Sequence, residues 1–136
     1  MAPLTIAVPT QAEVLASVET VLRWDVNGDD LPAVDVVVGL VEQFTEYGRV
    51  IADDLRVQCL SIPADSDAGL SAAAILGEAS RRLHLPPPYR TPQASVHRAQ
   101  NIARLVKALL RAAGTVGEAQ ALTRRQQHHV STKGPR

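Results

Sequence analysis

The sequence predicts an all-α protein: an antiparallel four-helix bundle with one long central helix and room for a short fifth helix. Apolar residues recur every three or four positions in four separate segments, which is the spacing of one face of an α-helix. Segments rich in Pro, Gly, Asp and Ser separate these four stretches. The chain has 136 residues, the size of a single domain with one core.

The first helix is predicted over residues 11–24. Thr10 precedes Glu13 by three positions, the pattern of a capping box at a helix start. Apolar residues then follow at helical spacing, and Asn27-Gly28 is a stop signal. We interpret the acidic loop from Asp25 to Asp30 as a plain turn whose aspartates cap the next helix.

The second helix is predicted over residues 32–61 and is expected to be the long central one. Its apolar stripe consists of Val34, Val37, Val41, Phe44, Gly48, Ile51, Leu55 and Ile62. Acidic side chains lie on the opposite face, as in an amphipathic helix. A glycine in such a stripe usually marks the close approach of another helix, so we expect one at Gly48.

Two further helices are predicted over residues 68–84 and 92–113. Thr91-Pro92 has the form of an N-cap followed by a first helical residue. Gly114 has the form of a residue that ends a helix. We therefore expect residues 1–113 to form the bundle and residues 114–136 to form a basic C-terminal segment. Thr115 and Glu118 repeat the capping-box pattern, which would begin the fifth helix.

The charge of the chain is divided between its two halves. Residues 1–78 carry three basic and thirteen acidic side chains, whereas residues 79–136 carry eleven basic side chains and Glu118. The simplest interpretation is that the acidic second helix and the basic fourth helix are antiparallel neighbours with salt bridges along their contact. A protein partner or a second copy with complementary charge is the other main interpretation.

Part of the positive charge lies on one side of the fourth helix, which we call the basic face: His97, Arg104, Lys107 and Arg111. Such a face is a candidate for phosphate binding. The net charge of zero and the acidic half of the molecule argue against it. We therefore expect a protein partner or a homodimer there and do not expect nucleic acid.

A small ligand pocket would need polar groups at the edges of the apolar stripes. Four side chains are placed there by their helical positions: Tyr47, Asp54, Arg98 and Asn101. We treat them as the candidate pocket residues for a small hydrophobic ligand. No catalytic residues are assigned, because the spacing of the histidines, serines and carboxylates suggests no nucleophile with a base.

No metal site or cofactor is predicted. The loop from Asp25 resembles the start of a calcium loop, but Asp30 stands where that loop requires glycine. The pair His128-His129 has no third ligand at a known spacing, and Cys59 cannot form an internal disulfide. We find no signal peptide or membrane span, so we expect a cytoplasmic protein.

Two runs, GEASRRL at residues 77–83 and AQNIARLVKALLRA at residues 99–112, resemble a family of small helical proteins from Streptomyces and related actinobacteria. The resemblance extends loosely over residues 35–113. Members of that family have no known function and are commonly associated with natural-product biosynthesis. The resemblance implies an actinobacterial accessory protein and does not imply a reaction.

The leading hypothesis is a non-catalytic interaction or regulatory accessory protein that binds through its helix faces. The alternative is a small enzyme or ligand-binding bundle for a hydrophobic natural-product intermediate, and a second alternative is nucleic-acid binding through helix 92–113. The sequence does not decide whether the chain is an enzyme. Because the second helix outlasts its predicted neighbours, its uncovered stripe favours a homodimer.

Overall fold

The computed structural model describes the backbone of residues 10–133 and the side chains of residues 10–126. This part of the chain forms four helices: α1 (Gln11–Leu22), α2 (Val34–Cys59), α3 (Asp67–Arg82) and α4 (Pro92–Lys133). No strand occurs among the described residues. The all-α bundle predicted from the sequence is confirmed.

Side-chain caps start three of the helices. The Thr10 hydroxyl accepts a hydrogen bond from the backbone N–H three residues on, at 3.2 Å, and Thr91 does the same for α4, also at 3.2 Å. The Ser66 hydroxyl begins α3 in the same way. The N-cap of α2 is Ala33, which makes no side-chain cap, so the prediction that aspartates of the preceding loop cap this helix is wrong.

The fourth helix does not end at Gly114 as the sequence predicts. It continues as one helix to Lys133, and the residues of the expected fifth helix belong to it. Val116 is fully buried, and Gln120 Nε2 donates to Gln58 O at the end of α2, at 3.4 Å. These contacts form only if the helix continues past Gly114. They therefore offset the propensity cost of a mid-helix glycine, which is about 1 kcal/mol. The expected boundary at residue 113 therefore falls inside α4.

The long central helix is α4. The sequence suggested α2 for this place, and that prediction is wrong. The α4 helix has 42 residues against 26 in α2, and the other three helices all pack against it. The apolar stripe of α2 is buried from Val37 to Leu55, and the most extensive helix contact of α2 is with α4. The reason for expecting a dimer, an uncovered end of that stripe, is therefore lost, and the dimer stays a prediction.

Successive helices run in opposite directions, so α2 and α4 are parallel neighbours and the predicted antiparallel packing of these two is wrong. Arg90, just before α4, pairs with Asp35 at the start of α2, while Gln120 meets the last turn of α2. Among the described side chains no ion pair joins α2 to α4. The pairs of α2 lie within that helix or with the connector before α4.

The core lies along α4 and consists mainly of aliphatic side chains. Its largest fully buried members are Phe44, Leu55, Ile102, Leu105 and Leu109. The expected close approach at Gly48 is confirmed, because a Cβ there would lie 3.0 Å from Leu83 Cδ2 and 3.8 Å from Val106 Cγ2. The end of α3 and the middle of α4 thus meet α2 at this glycine.

Within the described range, no helix combines the length and the apolar composition that crossing a membrane requires.

Candidate functional site

The basic face of α4 is one of two candidate sites on the surface. His97, Arg104 and Arg111 follow one another at intervals of seven residues and are all exposed. This interval keeps side chains on one side of a helix, about 10 Å apart at a rise of about 1.5 Å per residue. Among the described residues, no carboxylate lies within ion-pair distance of these two arginines. The face therefore presents two unpaired arginines, in line with His97, to solvent.

Lys107, the fourth residue of the basic face, is used inside the fold. Its Nζ lies 2.8 Å from Glu19 Oε1 of α1, and both side chains are partly exposed, at 37% and 46%. The hydrogen bond from Lys107 and then its positive charge lower the pKa of Glu19 below the ordinary value of 4.5. Lys107 thus helps to hold α1 on α4 and is less available to a partner.

The second candidate site is an open cleft of about 350 Å³ between α2, the end of α3 and the start of α4. We call it the arginine cleft, because Arg49, Arg82 and Arg98 line it. Its apolar lining is Val38, Val41, Leu83, Leu85, Pro87, Pro88 and Ile102, and its remaining polar lining is Glu42, Thr45 and Glu46. The connector after α3 forms one wall of the cleft. Its three prolines cannot continue a helix, so this wall is not helical.

The structure does not bring the four candidate pocket residues together. Arg98 lines the arginine cleft, but the other three do not. Tyr47 is half-buried against the core, and Asp54 is exposed on α2. Asn101 is half-buried on α4, and its Oδ1 is a buried atom without a hydrogen-bond partner among the described residues. The position of a residue at the edge of an apolar stripe predicts that it borders the core. It does not predict which stripe edges line the same cavity.

Arg49 and Arg82 are the cleft residues that sequence reasoning missed. Glu46 and Asp53 lie three and four residues from Arg49 on α2, the spacing of helical ion pairs, but Asp53 Oδ1 pairs with Arg56 Nη1 at 2.7 Å. Arg49 lies 3.5 Å from Glu46, and its Nη2 donates to Leu83 O at 3.1 Å. That oxygen is 34 positions away in the chain, so no local signal could have indicated the contact.

The loop from Asp25 to Asp30, whose sequence resembles the start of a calcium loop, forms a turn. Asp25 Oδ1 accepts from the Asn27 backbone N–H at 3.0 Å, and its carbonyl oxygen accepts from the Gly28 N–H at 2.9 Å. These bonds are those of a turn closed by an Asp side chain. In the described part of the chain no three His, Cys, Asp or Glu side chains gather as a metal site would require. The pair His128-His129 lies outside the described side chains.

A family model described as a family of unknown function, DUF6415, matches residues 12–118. The chain belongs to the DUF6415 family. The part shared with DUF6415 covers α1 to α3 and α4 as far as Glu118, so it includes both the basic face and the arginine cleft. No curated protein and no protein of solved structure matches the chain.

Proposed function

We propose that the protein is a non-catalytic accessory protein that binds an acidic helix of a protein partner through the basic face of α4. The observation that carries this proposal is the exposed row of His97, Arg104 and Arg111. The guanidinium groups of Arg104 and Arg111, seven residues apart, suit an acidic helix lying along α4, because carboxylates seven residues apart on that helix would have the same spacing.

The charge of the rest of the molecule supports a protein partner over nucleic acid. Asp25, Asp29 and Asp30 are exposed in the loop before α2, and Asp53 and Asp54 are exposed on α2. Such charges repel a phosphate backbone over a distance comparable to the size of this protein at low salt. They repel an acidic helix on the far side of α4 less strongly, because such a helix carries fewer negative charges than a nucleic acid and carries them within a short segment.

The context of this function is also part of the proposal. The resemblance of residues 77–83 and 99–112 to actinobacterial proteins supports a role beside natural-product biosynthesis, in the cytoplasm. A second copy of the chain is the first partner to test, since α2 carries the exposed carboxylates of Asp53 and Asp54, which do not line the arginine cleft. The resulting homodimer would join oppositely charged faces.

The test is capture of partners from the cells that produce the protein, together with the mass in solution by light scattering. The bait is the full chain, the chain with Arg104→Glu and Arg111→Glu, and a control with Arg81→Glu on α3. We expect a partner or a dimer with the full chain and the control, loss of it with the double variant, and loss in high salt.

Two results would contradict the proposal, once circular dichroism shows that the variants fold. One is a strict monomer without partner, and the other is a partner that the double variant retains. DNA binding by the full chain that the double variant loses would replace it with the nucleic-acid alternative.

A further inference from the structure

The arginine cleft combines an apolar floor with cations in fixed positions. Val38, Val41 and Ile102 supply part of the floor, and Leu85, which is 45% exposed, forms part of its edge. The volume of about 350 Å³ is within the range of small-molecule sites, about 300–1,000 Å³. A nonpolar ligand that covered this apolar surface would remove it from water, which is favourable in free energy.

Two of the three arginines are held in place by the connector that forms the cleft wall. Arg49 Nη2 donates to Leu83 O at 3.1 Å, and Arg98 Nη1 donates to Pro86 O at 2.6 Å. A guanidinium has five N–H donors, so each arginine keeps donors beyond this bond. An arginine held by one nitrogen loses less conformational entropy when another nitrogen binds a ligand.

The third arginine is anchored differently. Arg82 Nη2 lies 3.1 Å from Glu78 Oε1 on its own helix, and its side chain is 34% exposed. Glu42 and Glu46 also line the cleft, and together with Glu78 they balance the charge of the three guanidinium groups. Among the described side chains, Arg98 has no carboxylate within ion-pair distance. This unpaired guanidinium favours a ligand with a single negative charge, and the planar fork of arginine matches a carboxylate.

We propose that the arginine cleft binds a small amphipathic monocarboxylate, with the carboxylate on the arginines and the nonpolar body against the floor. This site is independent of the basic face of α4, which lies on another side of the same helix. A fatty acid of medium length represents the ligand class and serves as the probe.

The test is titration of the full chain with octanoate, followed by calorimetry and by amide chemical shifts. We expect saturable binding of one octanoate, with shifts concentrated at residues 38–49, 82–88 and 98–102. Octanol, which lacks the charge, and inorganic phosphate, which lacks the nonpolar body, are expected to bind at least about tenfold more weakly, since a charged hydrogen bond or a buried alkyl chain contributes that much.

Matched arginine variants separate the cleft from general charge effects. Arg81 and Arg82 both pair with Glu78, but only Arg82 of these two lines the cleft. We expect Arg82→Gln to weaken octanoate binding about tenfold and Arg81→Gln to leave it unchanged. Arg98→Gln and its control Arg125→Gln, at an exposed position of α4 outside the basic face, give the same comparison from another wall.

The proposal is overturned by any of three results with folded protein: no octanoate binding, equal binding of octanol or phosphate, or equal losses in the Arg81 and Arg82 variants. Because Arg98→Gln removes a bond to the connector and could disturb the fold, the Arg82 pair decides the outcome if that variant unfolds. If no partner binds the basic face, the proposed function fails, but the results expected for octanoate do not change.

Discussion

Gln100 Nε2 of α4 lies 2.8 Å from the carbonyl oxygen of Trp24, just after the end of α1. The same nitrogen lies 3.1 Å from Val21 O, and the glutamine is only 6% exposed. The last carbonyl groups of a helix have no partner within the helix. One buried side chain of α4 therefore completes the end of α1.

Replacing Gln100 by Leu should destabilise the protein by about 1–3 kcal/mol, because Trp24 O loses its side-chain donor in a largely buried position and Val21 O keeps only the Trp24 backbone N–H. Urea unfolding measures this change in the free energy of unfolding. Gln93→Leu, at an exposed position on the same helix, is the control and should change it little. Equal effects of the two variants would show that the carbonyl contacts are unimportant.

Two glycines of α3 should respond in opposite ways to alanine. A Cβ on Gly69 would lie 2.5 Å from Pro63 O and 2.9 Å from Ala64 O, which are backbone atoms and cannot move aside cheaply. Gly77 has no atom within 4 Å of such a Cβ. We expect Gly69→Ala to lower the thermal midpoint clearly and Gly77→Ala to stabilise by about 0.5–1 kcal/mol through helix propensity. A stabilising Gly69→Ala would contradict the tight packing of the α2–α3 turn.

The sign of the effect at Gly114 tests the continuous α4. Gly114 lies within the helix, and a Cβ added there would meet no neighbouring atom within 4 Å. Alanine should therefore stabilise by about 0.5–1 kcal/mol. If the helix instead ended there with the glycine in the left-handed region, alanine would destabilise by about 1 kcal/mol. Chemical unfolding of Gly114→Ala, with Gly117→Ala as a second mid-helix variant, distinguishes these two cases.

The ion pair of Glu19 and Lys107 should make part of the stability depend on pH. The pKa of Glu19 is lower in the folded protein than its ordinary value of 4.5. Its contribution is therefore complete above that ordinary value and is lost as the pH falls through the lowered folded value.

The full chain should accordingly exceed Glu19→Gln in stability at neutral pH, and the difference should shrink in acid and in high salt. Unfolding curves across the acid range measure it. Glu118→Gln, at an exposed carboxylate of α4, should show a smaller difference. A gap between the full chain and Glu19→Gln that stays constant with pH would contradict the proposed pairing.

Much of the local structure could be predicted from the sequence because its causes are local. The hydroxyls of Thr10 and Thr91 act on amides three residues away, so their positions alone predict the starts of α1 and α4. The stripe of α2 follows from helical periodicity, and Gly48 within it correctly predicted a close approach. The charge division also follows from the sequence alone.

The tertiary structure decided what depends on distant partners. Gly114 stops a helix by its local preference, yet Val116 and Gln120 find contacts with the rest of the bundle that keep α4 going. The candidate site shows the same limit: Arg98 was found at a stripe edge, but Arg49 and Arg82 were not. Their meeting depends on the alternating direction of the helices, which brings the end of α3 beside the starts of α2 and α4.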